Sequence, residues 1–243
     1  MSLLNRILGR KRAEVEEEYK LFKGIYREQM PLLVAQGYKP ATTEQIMQGR
    51  LEKTLAYNYY YDTSTGIFYA GNNQDKFKIL PYSEVLARVN PKTSLYDGGI
   101  RQTEEEYESS NGIEFTRKDM ILNQGLTEEE VIKHQGWLEL ANNNQALLQE
   151  YIQSTFKLFK YRNGEDKAMG FYIRNPEKVP NIRAVCLLRL DDRSDASDGY
   201  GLYEGARFVG VSEGTRKKYP TLPRPANAHE LDTRTLPRPA NSH

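Results

Sequence analysis

LAYNYYYDTSTGIFYAGN, residues 55–72, is the stretch on which the reading of this chain turns. It is aromatic and β-branched on both sides of Thr63-Ser64-Thr65-Gly66, and small polar residues closed by glycine favour a turn. The pattern therefore predicts a β-hairpin, with KFKIL from Lys76 as a third strand. In that hairpin Tyr57, Tyr59 and Tyr61 share one face. A row of aromatics can stack the bases of a single-stranded nucleic acid, but such surfaces pair their rings with a basic groove. Lys53, Lys76 and Lys78 are the nearest cations, so cross-strand aromatic packing is the expected role.

Upstream, Val15, Tyr19, Phe22, Tyr26 and Met30 recur at helical spacing until Pro31, which predicts a first helix led by Glu14 and Glu16 to Glu18. Thr42 and Gln45 have capping-box spacing and open a second helix to about Glu52. Downstream, Ser83 caps a short helical turn that stops before Asn90-Pro91. TEEE occurs at Thr103 and again at Thr127, each a helix start and not an acidic site. Leu148, Ile152, Thr155, Phe156 and Phe159 form a further amphipathic helix closed at Asn163-Gly164. AMGFYIR, IRAVCLLRL and ARFVGVS then read as strands. The expected class is α+β, with N-terminal helices, a mainly antiparallel sheet built from hairpins, and a disordered Pro-rich C-terminal tail.

The 243 residues carry a net charge of +1, distributed unevenly. Residues 1–12 hold +4 and residues 213–243 hold +3, which leaves −6 on the body between them. The expected organisation is a basic extension over 1–12, a single α+β domain over 13–212, and a tail over 213–243 that states TLPRPAN twice. An acidic body does not favour nucleic acid along its main surface. No run approaches the length of a membrane-spanning helix, and the N-terminal apolar residues are too interrupted for a secretion signal, so the expected location is cytoplasmic.

One cysteine, Cys186, excludes an internal disulfide and any multi-cysteine metal site. Of three histidines, His229 and His243 belong to the tail repeat. That leaves His134 in the body, excludes HExxH and two-histidine metal sets there, and places His134 beside Val131 and Leu138 at the edge of a packed helix face. Cys186 sits within AVCLL, where a thiol behaves as a small hydrophobe. GxGxxG fails by one residue in DGYGLYEG, and GK[ST] is absent.

LDDRSDASDG, residues 190–199, places four aspartates in eight residues at a strand end. Carboxylates on a loop are the ligands that Mg²⁺ or Ca²⁺ takes, which makes Asp191, Asp192, Asp195 and Asp198, with Glu204 across the hairpin, the candidate metal set. Asp191, Asp192 and Asp195, with His134, are the candidate catalytic residues of a metal-assisted hydrolase or transferase. The EF-hand spacing fails, and an Asx-rich solvated loop accounts for the same letters. In the tail, KKYPTLPRP matches K-x-x-P-x-x-P over Lys217, Pro220 and Pro223. Closely spaced prolines, here also Pro225, Pro237 and Pro239, favour the extended form that aromatic grooves recognise. The leading expectation is a non-catalytic protein-binding domain whose partner engages this Pro-rich tail, with the metal-assisted enzyme second and single-strand binding by Tyr57–Tyr61 third.

Overall fold

A computed structural model describes residues 18–212 except Asn73 and Pro176. The basic extension over 1–12 and the tail with Lys217, Pro220, Pro223, Pro225, Pro237 and Pro239 lie outside the described residues.

The chain runs β1 (Tyr19–Ile25), α1 (Tyr26–Ala35), β2 (Lys39–Pro40), α2 (Thr43–Leu51), β3 (Tyr61–Tyr69), β4 (Lys76–Leu80), α3 (Glu84–Ala87), β5 (Ile100–Arg101), α4 (Glu104–Ser109) and β6 (Ile113–Thr116). It continues through α5 (Glu128–Lys133), α6 (Gln135–Leu140), α7 (Gln145–Asn163), β7 (Phe171–Tyr172), β8 (Asn181–Leu187), β9 (Ala196–Ser197) and β10 (Gly205–Val211). All ten strands join one sheet, with a main path of β1, β10, β3, β8, β9, β7. β10 lies parallel to β3, and β7 lies parallel to β9. The sheet is thus large and mixed, which corrects the expectation of an α+β domain with N-terminal helices and antiparallel hairpins.

The correction begins at residues 55–72. Tyr61 to Tyr69 is one continuous strand, buried at every position, and Thr63-Ser64-Thr65 is a bulge inside it instead of a turn. Its register against β8 passes from Asp62↔Cys186 to Gly66↔Ala184, so four residues of β3 advance against two of β8. The hydroxyls that suggested a turn are consumed by neighbouring backbone. Thr63 Oγ1 donates to the Val185 carbonyl at 2.7 Å, Ser64 Oγ to Pro40 at 3.0 Å, and Thr65 Oγ1 to Pro81 at 2.9 Å. The bulge also branches the sheet, because β10 meets β3 at Asp62 and β4 takes the same strand from Gly66 onward.

The first helix is corrected too. Tyr19 to Ile25 pair with β10 along their whole length, and Gly24 adopts φ 141°, a conformation outside the helical region. α1 starts only at Tyr26 and continues through Pro31 to Ala35. The helices signalled by capping are present. Thr42, Thr103 and Thr127 each close a capping box, and Asn144 caps α7, which ends on Gly164 at φ 70°.

Both faces of the central strands are covered. Ile67, Tyr69, Val185, Leu187 and Val209 face a core completed by Trp137, Tyr151, Ile152 and Phe156, beneath α6 and α7. Phe68, Ile182, Ala184 and Phe208 face the opposite core with Phe22, Tyr26, Leu33 and Leu86. Alternation along the strand is real, but apolar residues fill both sides, as a doubly covered sheet requires. No helix among the described residues is long and apolar enough to cross a membrane.

Candidate functional site

At one end of β8 the backbone leaves the sheet and returns as β9 through a tight loop. Leu190–Asp192 form a 3₁₀ turn, and Arg193 and Ser194 are both left-handed, at φ 59° and 53°. Ser194 N–H donates to the Arg189 carbonyl at 2.9 Å, and Leu188 N–H to Asp195 at 2.8 Å, so the loop is held by its own backbone. It lies beside the last turn of α7, with Tyr60 from the approach to β3, Tyr172 from β7 and Tyr200 from the following loop. Together these enclose a groove of 860 Å³.

The loop turns its aspartates in different directions. Asp191 pairs with Arg162 at 3.2 Å, at the exposed rim. Asp192 Oδ2 accepts from Arg189 Nε at 2.8 Å and from the Tyr60 hydroxyl at 2.5 Å, while the Arg189 guanidinium lies 5.2 Å from the Tyr60 ring centre. The bond to Asp192 moves the Tyr60 phenol up to about 12. Tyr200 meets Tyr60 with ring centres 6.0 Å apart.

Asp195 points inward and is 3% exposed. Its Oδ1 accepts from Gly170 N–H at 2.6 Å, and its Oδ2 accepts from Arg193 Nε and one terminal nitrogen at 3.2 Å each. Arg193 also donates to the Tyr172 hydroxyl at 2.5 Å. Burial raises the Asp195 carboxyl to about 6, against the opposing pull of Gly170 N–H and Arg193. Asp198 is buried elsewhere, accepting from the Tyr69 hydroxyl and from Arg174 N–H, and burial raises it to about 6 as well. Glu204 accepts from Gly201 N–H at 3.2 Å.

The predicted metal set is therefore dispersed. Asp191 and Asp192 hold rim arginines, Asp195 and Asp198 occupy separate buried networks, and Glu204 closes a local turn. Among the described residues no group of three or more His, Cys, Asp and Glu is arranged to hold a metal ion.

His134 stands apart from the groove, as the N-cap of α6. Its Nδ1 accepts from Trp137 N–H at 3.3 Å, which leaves Nε2–H to donate to the Ile121 carbonyl at 2.9 Å. Burial lowers its pKa below the ordinary imidazole value. The ring is a neutral cap with both nitrogens committed. We expect His134→Ala to cost about 1–2 kcal/mol of stability in urea denaturation, and His134→Asn, a good cap residue, to recover part of it. An alanine variant as stable as the parent would contradict this role.

Cys186 is buried on β8 against Asp62, where burial and the carboxylate push the thiol up, away from nucleophilic character. The tyrosines of 57–61 do not form an open row. Tyr57 stacks on Tyr151 at 5.9 Å, Tyr59 lies under the Arg207 guanidinium at 3.6 Å, and Tyr61 is fully buried with its hydroxyl accepting from Ala56 N–H at 3.1 Å.

The groove takes in residues that local patterns did not flag, Arg162, Tyr172 and Tyr200, together with Tyr60 from the tyrosine-rich segment. For the loop arginines a signal existed. Arg189 and Arg193 alternate with aspartates in RLDDRSD, which is the spacing of pairs closed within one turn.

No family model matches the chain, and no curated protein matches it. Among solved structures it is similar to one described as "Accommodation of massive sequence variation in Nanoarchaeota by the C-type lectin fold". Identity is 14% and the TM-score 0.60, over 81% of this chain and 99% of that one. The likeness is one of fold. It agrees with the mixed ten-stranded sheet and overturns the expected hairpin-built α+β class.

Proposed function

We propose that this chain is a non-catalytic binding domain and that the groove between the β8–β9 loop, the end of α7 and Tyr200 receives a protein partner. The observation that carries the proposal is the division of labour in the fold. Groove side chains stand on loops, on the end of α7 and on the short strands β7 and β9, most of them paired with one another, while the central strands are sealed on both faces by two apolar cores. Aromatic rings and arginines gathered in a concavity are the residue types that dominate protein recognition. The similar solved structure is described in terms of the C-type lectin fold accommodating massive sequence variation. The same division supports that capacity here, since replacing exposed groove residues leaves both cores intact.

The test places a photo-reactive p-benzoylphenylalanine at Tyr200 and, as a comparison, at Leu32, an exposed residue of α1 that does not line the groove. Irradiation in extract of the native cell is expected to give a discrete cross-linked protein from position 200 alone. Products absent from position 200, or identical at the two positions, would refute the groove as the binding surface.

A further inference from the structure

Resting on that reading, we infer that the partner presents a basic side chain, arginine or lysine, to the groove. Three observations converge on this chemistry. The first is charge: the groove is lined by two cations, Arg162 and Arg193, against four carboxylates, Glu165, Asp191, Asp192 and Asp195. Arg189 reaches Asp192 from outside, and an excess of one negative charge still remains. The second is that this excess has a location. Glu165 takes part in no ion pair among the described residues, and it stands exposed just past the end of α7, where its charge acts on Arg193 without a direct contact.

The third is the apolar and aromatic surface between the charges. Phe159 and Leu188, both buried, form part of the wall, and the Tyr60–Tyr200 pair, its rings tilted by 50°, lines the same groove. An arginine or lysine side chain has a long apolar stem and a cationic head, so it covers such a wall while reaching a carboxylate. The aromatic pair adds attraction for the cation through the ring faces. An acidic side chain would meet the excess negative charge and gain nothing from the rings. Asp195 lies beneath, buried at the floor of the groove. Its carboxylate is paired with Arg193, and the Asp192 charge of the same loop acts on it.

The experiment uses the full chain and two probes, the peptides Ac-Gly-Gly-Arg-Gly-Gly-NH₂ and Ac-Gly-Gly-Glu-Gly-Gly-NH₂, followed by amide ¹H–¹⁵N spectra. The arginine peptide is expected to shift resonances of the β8–β9 loop and of Tyr200 saturably, and more weakly at pH 5 than at pH 7.5, as Asp195 takes up a proton. The glutamate peptide is expected to leave them unmoved. Glu165→Gln combined with Asp191→Asn should weaken the arginine peptide by about fivefold, while Leu32→Gln, on the exposed face of α1 outside the groove, should bind as the parent does. Both positions are exposed, so folding is retained and checked by the unchanged remainder of the spectrum. Equal or stronger shifts from the glutamate peptide would overturn the inference and leave the groove a binding surface. Absence of groove shifts with the arginine peptide would also overturn it, and the cross-link from position 200 separately decides the underlying reading.

Discussion

Replacing Arg50 by methionine is expected to destabilise the protein by about 4 kcal/mol, the largest single loss we anticipate. Arg50 is carried on α2 and is 1% exposed, yet no carboxylate pairs with it among the described residues. Its charge is met by oxygens and rings. One terminal nitrogen donates to the Tyr151 hydroxyl at 2.7 Å, and the other to the carbonyls of Tyr59 and Leu188, at 2.9 Å each. The Tyr57 and Tyr61 rings flank the guanidinium, each centred 5.3 Å away.

Methionine fills much of the volume but leaves two carbonyls and a hydroxyl buried without a donor, each costing about 1–3 kcal/mol. For a domain of this size the loss corresponds to a fall in Tm of about 10 °C. Arg50→Lys retains charge but not the planar fork, and should lose roughly half as much. Tyr59 and Leu188 adjoin Tyr60 and Arg189, so the variant should also loosen the groove. Urea denaturation at unchanged slope measures the effect, and a cost below about 1 kcal/mol would show that this cation is not holding the sheet end together.

Asp62→Asn is expected to act in the opposite direction, stabilising the protein at pH 8 by about 2–4 kcal/mol. Asp62 is buried at the β3 bulge, and the Cys186 thiol is the side chain that hydrogen-bonds it. Burial raises its carboxyl from 3.8 to about 7, with the Glu204 charge pushing the same way and the thiol bond opposing. Between these two values the native state holds a proton that the unfolded chain has released. This contribution to stability is therefore greatest near pH 4 and declines as pH rises to about 7, beyond which a buried carboxylate is carried at full cost. Asn is uncharged throughout, so the gain should vanish at pH 4 and grow toward pH 8. Asp195 and Asp198, each raised to about 6, contribute slopes of the same sign and persist in the variant. Denaturation curves at pH 4.5, 6 and 8 give the comparison, and a variant no more stable than the parent at pH 8 would show that the Asp62 carboxyl is not raised in the native protein.

Arg50 and Asp62 illustrate what could not be read locally. Nothing near Arg50 in the chain distinguishes it from a solvated helix residue, because its acceptors lie at Tyr59, Tyr151 and Leu188. Asp62 follows three tyrosines and precedes TSTG, and an aspartate there looks like part of a turn. It becomes a buried carboxyl only because β10 and β8 close on either side of it. The groove was half legible. The loop LDDRSDASDG stood out by composition, but whether its aspartates converge on a metal or pair with arginines depended on Arg162, from a helix 29 residues away, and on the left-handed turn at Arg193-Ser194.

The sequence by itself determined the features that depend on a few neighbouring residues: the helix starts at Thr42, Ser83, Thr103 and Thr127, the glycine stop at Gly164, and the lack of cysteine and histidine sets in the body. Capping and turn closure are satisfied within one helical turn, so their signals survive in the linear order. Tertiary structure alone decided that TSTG is a bulge, that Tyr19–Ile25 is an edge strand, and that β10 lies parallel to β3. The physical reason is that a hydroxyl-rich segment is equally satisfied by its own turn or by distant carbonyls, and a segment with apolar residues on both faces keeps neither helical nor strand periodicity. Which option wins is set by the partners that the whole sheet brings against it.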